Sequence, residues 1–272
     1  NLMSSWWKVN PGPERELIPT IKKKGSTLSN LIAKKNYAQI IRTILHYIRI
    51  FFNKLGFFEI PYLPYYILTY YNFINKKFTI NSNINFSSDI SNKFFENKLL
   101  NCKLYLEYGS GSSTLLADRK NINYYSIESD KNFYRTLKKS LRSKSYFLED
   151  FGIVAGSSRP VLFSYRKFFL RKRAKKYASG ILQYLDKNNL IPDLILIDGR
   201  YRVLCALYVY KFLRKRNFSS TVIIDDYIKR PYLHIVENFF GGQTIGRFGV
   251  FDKLKEFKNI DDLIKIYSND FR

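Results

Sequence analysis

An α/β fold is what this sequence predicts: a mostly parallel sheet flanked by helices over residues 95–272, preceded over residues 1–94 by a basic, aromatic-rich extension with a helix near 36–55. Three observations carry that expectation. Short apolar runs alternate with helical stretches from Lys103 onward, a glycine turn follows the first run, and carboxylates close the later ones.

The elements can be justified in order. Residues 1–35 form a basic lead-in broken by Pro11, Pro13 and Pro19. From Asn36, Ile41, Ile44, Ile48, Phe51 and Leu55 recur every three or four positions, with Arg42, His46, Arg49 and Lys54 on other faces and Gly56 as a stop. Such a helix either docks on the main domain or lies on a membrane surface. Residues 57–80 are rich in Tyr and Phe and interrupted by proline, and no element is assigned there. A polar linker over Asn81–Ser91 leads to a short helix near Ser91–Leu99.

Beyond it, Leu104–Tyr108, Tyr124–Glu128, Ser145–Leu148, Leu194–Ile197 and Thr221–Ile224 read as buried strands. Helices are expected near Thr114–Arg119, Lys131–Leu141, Arg171–Leu185 and Val203–Arg216. Two last strands are expected between Gln243 and Lys253, and a final helix over Ile260–Tyr267. Strand–helix alternation of this kind implies βαβ units.

Composition bounds the function. The hydrophobic fraction is 46%, enough for a core. The 46 basic residues outnumber 22 acidic ones, for a formal charge of +24. A bias toward Lys, Asn and Ile alone would raise Glu too, so the excess points to anionic partners: nucleic acid, phosphorylated sugars, acidic glycans or a lipid surface. Cys102 and Cys205, in apolar surroundings, form neither a disulfide framework nor a zinc motif, and His46 and His234 form no ligand pattern. With no signal-peptide pattern and no apolar run of about 20 residues, a cytoplasmic protein without a membrane span is expected.

In a parallel sheet, ligands sit at the carboxyl ends of strands. The first strand ends in Glu107-Tyr108-Gly109-Ser110-Gly111-Ser112-Ser113-Thr114, where two glycines allow a tight turn and close approach of a ligand. A bare G-x-G also serves any tight strand–helix turn. The second strand closes on Glu128, 17 residues past Gly111, where a carboxylate can accept both hydroxyls of a ribose.

These residues, with LEYGSGSSTL, SIESD, LILIDGRYRV and VIIDDY in that order, resemble the class I (Rossmann-like) S-adenosylmethionine-dependent methyltransferases over about residues 100–272. The resemblance implies that Gly109, Ser110 and Gly111 line the cofactor, with Glu107 near its amino group and Glu128 on its ribose. It also implies Asp150 near the adenine amine, and Asp198 bordering cofactor and acceptor. Ser113 stands where the family loop has its third glycine, and Thr114 where dinucleotide dehydrogenases prefer glycine.

The fourth and fifth strands end in Asp198-Gly199-Arg200 and Asp225-Asp226-Tyr227. This resembles the metal-dependent O-methyltransferases of the catechol type, which implies magnesium on Asp198, Asp225 and Asp226. Asp226 replaces the usual Asn and Tyr201 the usual lysine. Two other uses fit the same acids: helix caps or ion pairs with Arg200 and Arg230, and a metal-free general base.

Between the third and fourth strands, seven of the eleven positions from Arg166 to Lys176 are basic. The run is either a solvated helix face or a rim that suits a phosphate- or carboxylate-bearing acceptor. The expectation is methyl transfer to an oxygen, on a sugar, glycan or other anionic small molecule bounded by Asp198, Arg200, Asp225 and Tyr227. An RNA-modifying enzyme and a non-catalytic nucleotide-binding protein of the same fold are the alternatives.

Overall fold

The computed structural model describes residues 83–143, 145–152, 154–155, 159–160 and 167–270, with isolated positions 44, 47, 78, 80 and 81. The chain divides into two compact units, Asn1–Leu68 and Thr69–Arg272. The helix expected over 36–55 lies outside the described residues, apart from Ile44 and Tyr47, both helical.

In the second unit, α1 (Asp89–Asn101) leads to β1 (Tyr105–Tyr108), α2 (Ser112–Arg119), β2 (Tyr124–Glu128), α3 (Lys131–Lys138) and β3 (Tyr146–Leu148). A two-strand hairpin, β4 (Val154–Ala155) with β5 (Arg159–Pro160), precedes α4 (Lys167–Lys187). Then come β6 (Leu194–Ile197), α5 (Arg202–Arg216), β7 (Thr221–Ile224), a 3-10 stretch (Pro231–Asn238), β8 (Phe240–Ile245), β9 (Phe248–Leu254) and α6 (Ile260–Tyr267). The hairpin and the 3-10 stretch were not expected; strands of two residues leave no alternation to read.

The seven-stranded sheet runs β3-β2-β1-β6-β7-β9-β8. Its first five strands are parallel, whereas β9 lies antiparallel to β7 and β8 antiparallel to β9. The central strands β6 (LILI) and β7 (TVII) are almost wholly apolar because both of their faces are covered. On one face Tyr105, Leu194, Leu196 and Ile223 meet Phe95 and Leu99 of α1 and Ala117 of α2. On the other, Leu106, Ile195, Ile197, Val222 and Ile224 meet α4, α5, the 3-10 stretch and α6. The α5 helix buries residues around most of its circumference, from Arg202 to Leu213, as a central helix does. Among the described residues, no helix is long and apolar enough to cross a membrane.

Chain order places β2 and β3 on one side of β1 and β6 and β7 on the other. The direction of winding therefore reverses between β1 and β6. Outside the carboxyl ends of those two strands is where an open α/β sheet leaves a crevice.

Candidate functional site

The sequence-predicted residues gather at that edge. The ladder ends in register: Gly109 N–H donates to Ile127 O (2.9 Å), Glu149 N–H to Glu128 O (2.9 Å), Asp198 N–H to Tyr108 O (2.9 Å) and Asp225 N–H to Ile197 O (3.2 Å). Gly109, Glu128, Asp150, Asp198 and Asp225 thus follow or close neighbouring strand tips.

Gly109 has φ +87°, a left-handed conformation that glycine adopts without steric cost. A Cβ there would lie 2.5 Å from Gly199 N and Cα, so the turns after β1 and β6 press backbone to backbone. A Cβ on Gly199 would collide with the Tyr177 hydroxyl. Gly111 is different: its backbone is extended and a Cβ would meet nothing within 4 Å.

Beneath the turn, Glu107 is fully buried. It accepts from the hydroxyls of Ser113, Thr114 (2.5 Å) and Ser126 (3.1 Å). Burial pushes its carboxyl up to about 7 against the pull of those hydroxyls. With no exposed surface, Glu107 braces the turn from below rather than facing the crevice.

Glu128 lies beside the turn. Its Oε2 accepts from Ser110 N–H (3.2 Å), and its Oε1 from the N–H groups of Ser129 (2.6 Å) and Asp130 (2.8 Å). Burial raises its pKa while those N–H groups lower it. Oε2 keeps a lone pair for a hydroxyl. The Tyr146 hydroxyl is buried beside Ser110 and Glu128. A carboxylate acceptor and a buried hydroxyl next to an open glycine turn fit a nucleoside diol. Asp150 accepts from Gly152 N–H of its own loop (2.8 Å), which follows Ser129 through the bond from Phe151 N–H to Ser129 O (3.2 Å).

The acids after β6 and β7 are met by arginines. Arg202, only 3% exposed, pairs with Asp198 (2.7 Å), donates to the carbonyls of Asp225 (2.5 Å) and Gly199 (3.1 Å), and lies 3.7 Å from Asp226. Arg247, at the β8–β9 turn, pairs with Asp225 through Nε (2.7 Å) and Nη2 (2.8 Å) and also reaches Asp226. Arg230 pairs with Asp226 (2.5 Å). Burial, then Asp198, pushes Asp225 up to about 7, against the pull of Arg202 and Arg247. Asp198 is raised by burial and opposed by Arg202, and its side chain keeps 33% exposure.

This arrangement corrects the metal expectation. Among the described residues, no group of three or more His, Cys, Asp or Glu is placed to hold a metal. The charges of Asp198, Asp225 and Asp226 already face three guanidinium groups, so these residues do not fit resident magnesium. These acids form ion pairs instead, Asp198 with Arg202 and Asp225 with Arg247.

A second correction concerns Tyr227. It is 2% exposed, its hydroxyl donates to Glu237 (2.6 Å), and its ring packs against His234 and Phe251. It therefore belongs to the core rather than to an acceptor pocket. Arg200 is half-buried on the β6 turn. A hollow of about 720 Å³ opens at the opposite edge of the sheet beside Tyr124 and Ser145. Its Asp118 is already satisfied by Tyr124 and the N–H groups of Arg142 and Ser143.

No protein-family model and no curated protein matches this sequence. Among solved structures, a methyltransferase-like protein from Silicibacter pomeroyi DSS-3 superposes with a TM-score of 0.57 at 23% identity, covering 71% of this chain and 100% of that one. The two share a fold. The seven-stranded sheet flanked by helices is thus the Rossmann-like architecture expected from the sequence.

Proposed function

We propose that this α/β unit binds S-adenosylmethionine and transfers its methyl group to an oxygen of an anionic small-molecule or glycan acceptor. The supporting observation is the hydrogen bond from Ser110 N–H to Glu128 Oε2 (3.2 Å). It brings the glycine turn and the Glu128 carboxylate within the reach of one nucleoside, which supports the reading of Glu128 as the ribose acceptor. The shared fold with a protein described as methyltransferase-like agrees with this reading.

When bound, the cofactor supplies an electrophilic sulfonium methyl. The residues of this chain hold and align it: Glu128 and Tyr146 at the ribose, Ser110 and Gly111 along the chain, Asp150 toward the base. Alignment of nucleophile, carbon and leaving sulfur is the main contribution such a site makes. Asp198, the most exposed of the three crevice acids, accepts the acceptor's hydroxyl proton as the new carbon–oxygen bond forms. Arg202 holds that carboxylate from beneath.

Two experiments test the reading. Calorimetry with S-adenosylhomocysteine is expected to show binding that Glu128→Ala weakens at least tenfold, about 1.4 kcal/mol; equal affinity in the variant removes the ribose assignment. Methyl transfer from labelled S-adenosylmethionine into a deproteinised metabolite extract is expected to survive excess chelator. A loss that magnesium restores would return Asp198, Asp225 and Asp226 to a metal.

A nucleic-acid acceptor is the second reading, favoured by the charge of +24.

A further inference from the structure

We propose that the amino-terminal half of α4 anchors a phosphate group of the acceptor, an inference that rests on the methyltransferase reading for the word acceptor but not for the site. The helix runs back from the carboxyl edge of the sheet to the amino end of β6. Its Tyr177 lies level with that edge, against Gly199. At a rise of about 1.5 Å per residue, Arg171 stands about 9 Å further out. The helix thus overhangs the crevice.

Two contacts hold it there. Lys176 pairs with Glu149, just past β3 (2.7 Å), and Arg173 Nη1 comes within 3.3 Å of where a Cβ on Gly152 would lie. One turn below, the Tyr177 hydroxyl is fully buried and has no hydrogen-bond partner.

Arg171, Lys172, Arg173 and Lys175 occupy this overhang. Among the described residues none of them forms an ion pair, whereas the crevice arginines Arg202, Arg230 and Arg247 each meet an aspartate. Arg171, Lys172 and Lys175 share one face of the helix, three and four positions apart, and like charges so spaced destabilise it. A partner that offsets the repulsion needs more than one negative charge. A carboxylate supplies one, while a phosphate monoester supplies about 1.5 to 2 and presents oxygens that match an arginine fork. From Arg171 to Lys175 this face spans about 6 Å of helix, the reach of one phosphate or diphosphate rather than a long polyanion.

The test is titration of the full chain with inorganic pyrophosphate. Wild type is expected to bind it, Arg171→Gln/Lys175→Gln to bind at least tenfold more weakly, and Arg135→Gln/Lys139→Gln, exposed cations on and just after α3, to bind as wild type does. Equal weakening in both double variants would overturn the proposal, because it would reduce the effect to net charge. So would a single-stranded RNA 20-mer that binds more tightly than pyrophosphate and loses affinity equally in both. S-Adenosylhomocysteine binding is measured in parallel. Its retention in Arg171→Gln/Lys175→Gln is expected, and its absence in wild type defeats the methyltransferase reading while the pyrophosphate result still decides the anchor.

Discussion

Gly109→Ala is expected to lower the thermal midpoint by roughly 6–12 °C, while Gly111→Ala leaves it within about 2 °C of wild type. The two glycines share a motif and differ in physics. At Gly109 an alanine would have to hold φ +87°, which costs about 1–2 kcal/mol, and its methyl would sit 2.5 Å from the backbone of Gly199. Backbone cannot rotate away as a side chain can, so the turns after β1 and β6 must separate, adding about 1–3 kcal/mol. A total near 3 kcal/mol gives the shift quoted for a domain of this size.

Gly111 is extended and open, so a methyl there strains nothing. Differential scanning fluorimetry with and without S-adenosylhomocysteine reads both effects, because a ligand that binds only the native state raises the midpoint. Equal midpoints for the two alanine variants would mean that the β1 and β6 turns are not packed as described.

The fold was legible because parallel strands covered on both faces read as near-continuous apolar runs, and LILI at 194–197 and TVII at 221–224 admit few other readings. The strand-tip residues were legible for the same reason: once a strand's end is known, the next residue's edge of the sheet is known. What those residues meet was not. Arg247 follows Asp225 by 22 positions and reaches it only because β9 pairs antiparallel with β7, setting Gly249 opposite Ile224. No local pattern in Phe-Gly-Val-Phe announces that register.

Tyr227 was misplaced because Asp226 adopts φ +57°. That reversal keeps both aspartates on Arg247 and ties Tyr227 N–H to Arg247 O (3.0 Å), sending the ring into the core. Glu107 needed the side-chain hydroxyls of three residues on two other elements to be read as a brace rather than a contact. Spacing alone cannot supply that.

Arg247→Met is expected to destabilise the fold by an amount that grows with pH, from about 1 kcal/mol near pH 6 to about 3 kcal/mol or more near pH 8.5. The constant part is the lost hydrogen bond from Nη1 to Phe86 O (2.7 Å). The growing part belongs to Asp225. Its folded-state pKa, at about 7, already lies above the value of about 3.9 in an unfolded chain. The folded state therefore binds more protons through that window, and stability falls as pH rises through it, then levels off.

Removing the guanidinium leaves Asp225 facing Asp198 with less compensation, which moves its folded pKa further up. The variant then keeps losing stability above pH 7, where wild type has levelled. Denaturant unfolding at several pH values measures the difference. Adding Asp225→Asn to Arg247→Met is expected to abolish the extra slope, because an amide has no proton to lose; the two changes share one interaction and should not be additive. A deficit that is the same at both ends of the pH range would show that Arg247 acts through packing and its bond to Phe86, and that the crevice acids do not depend on it for their charge.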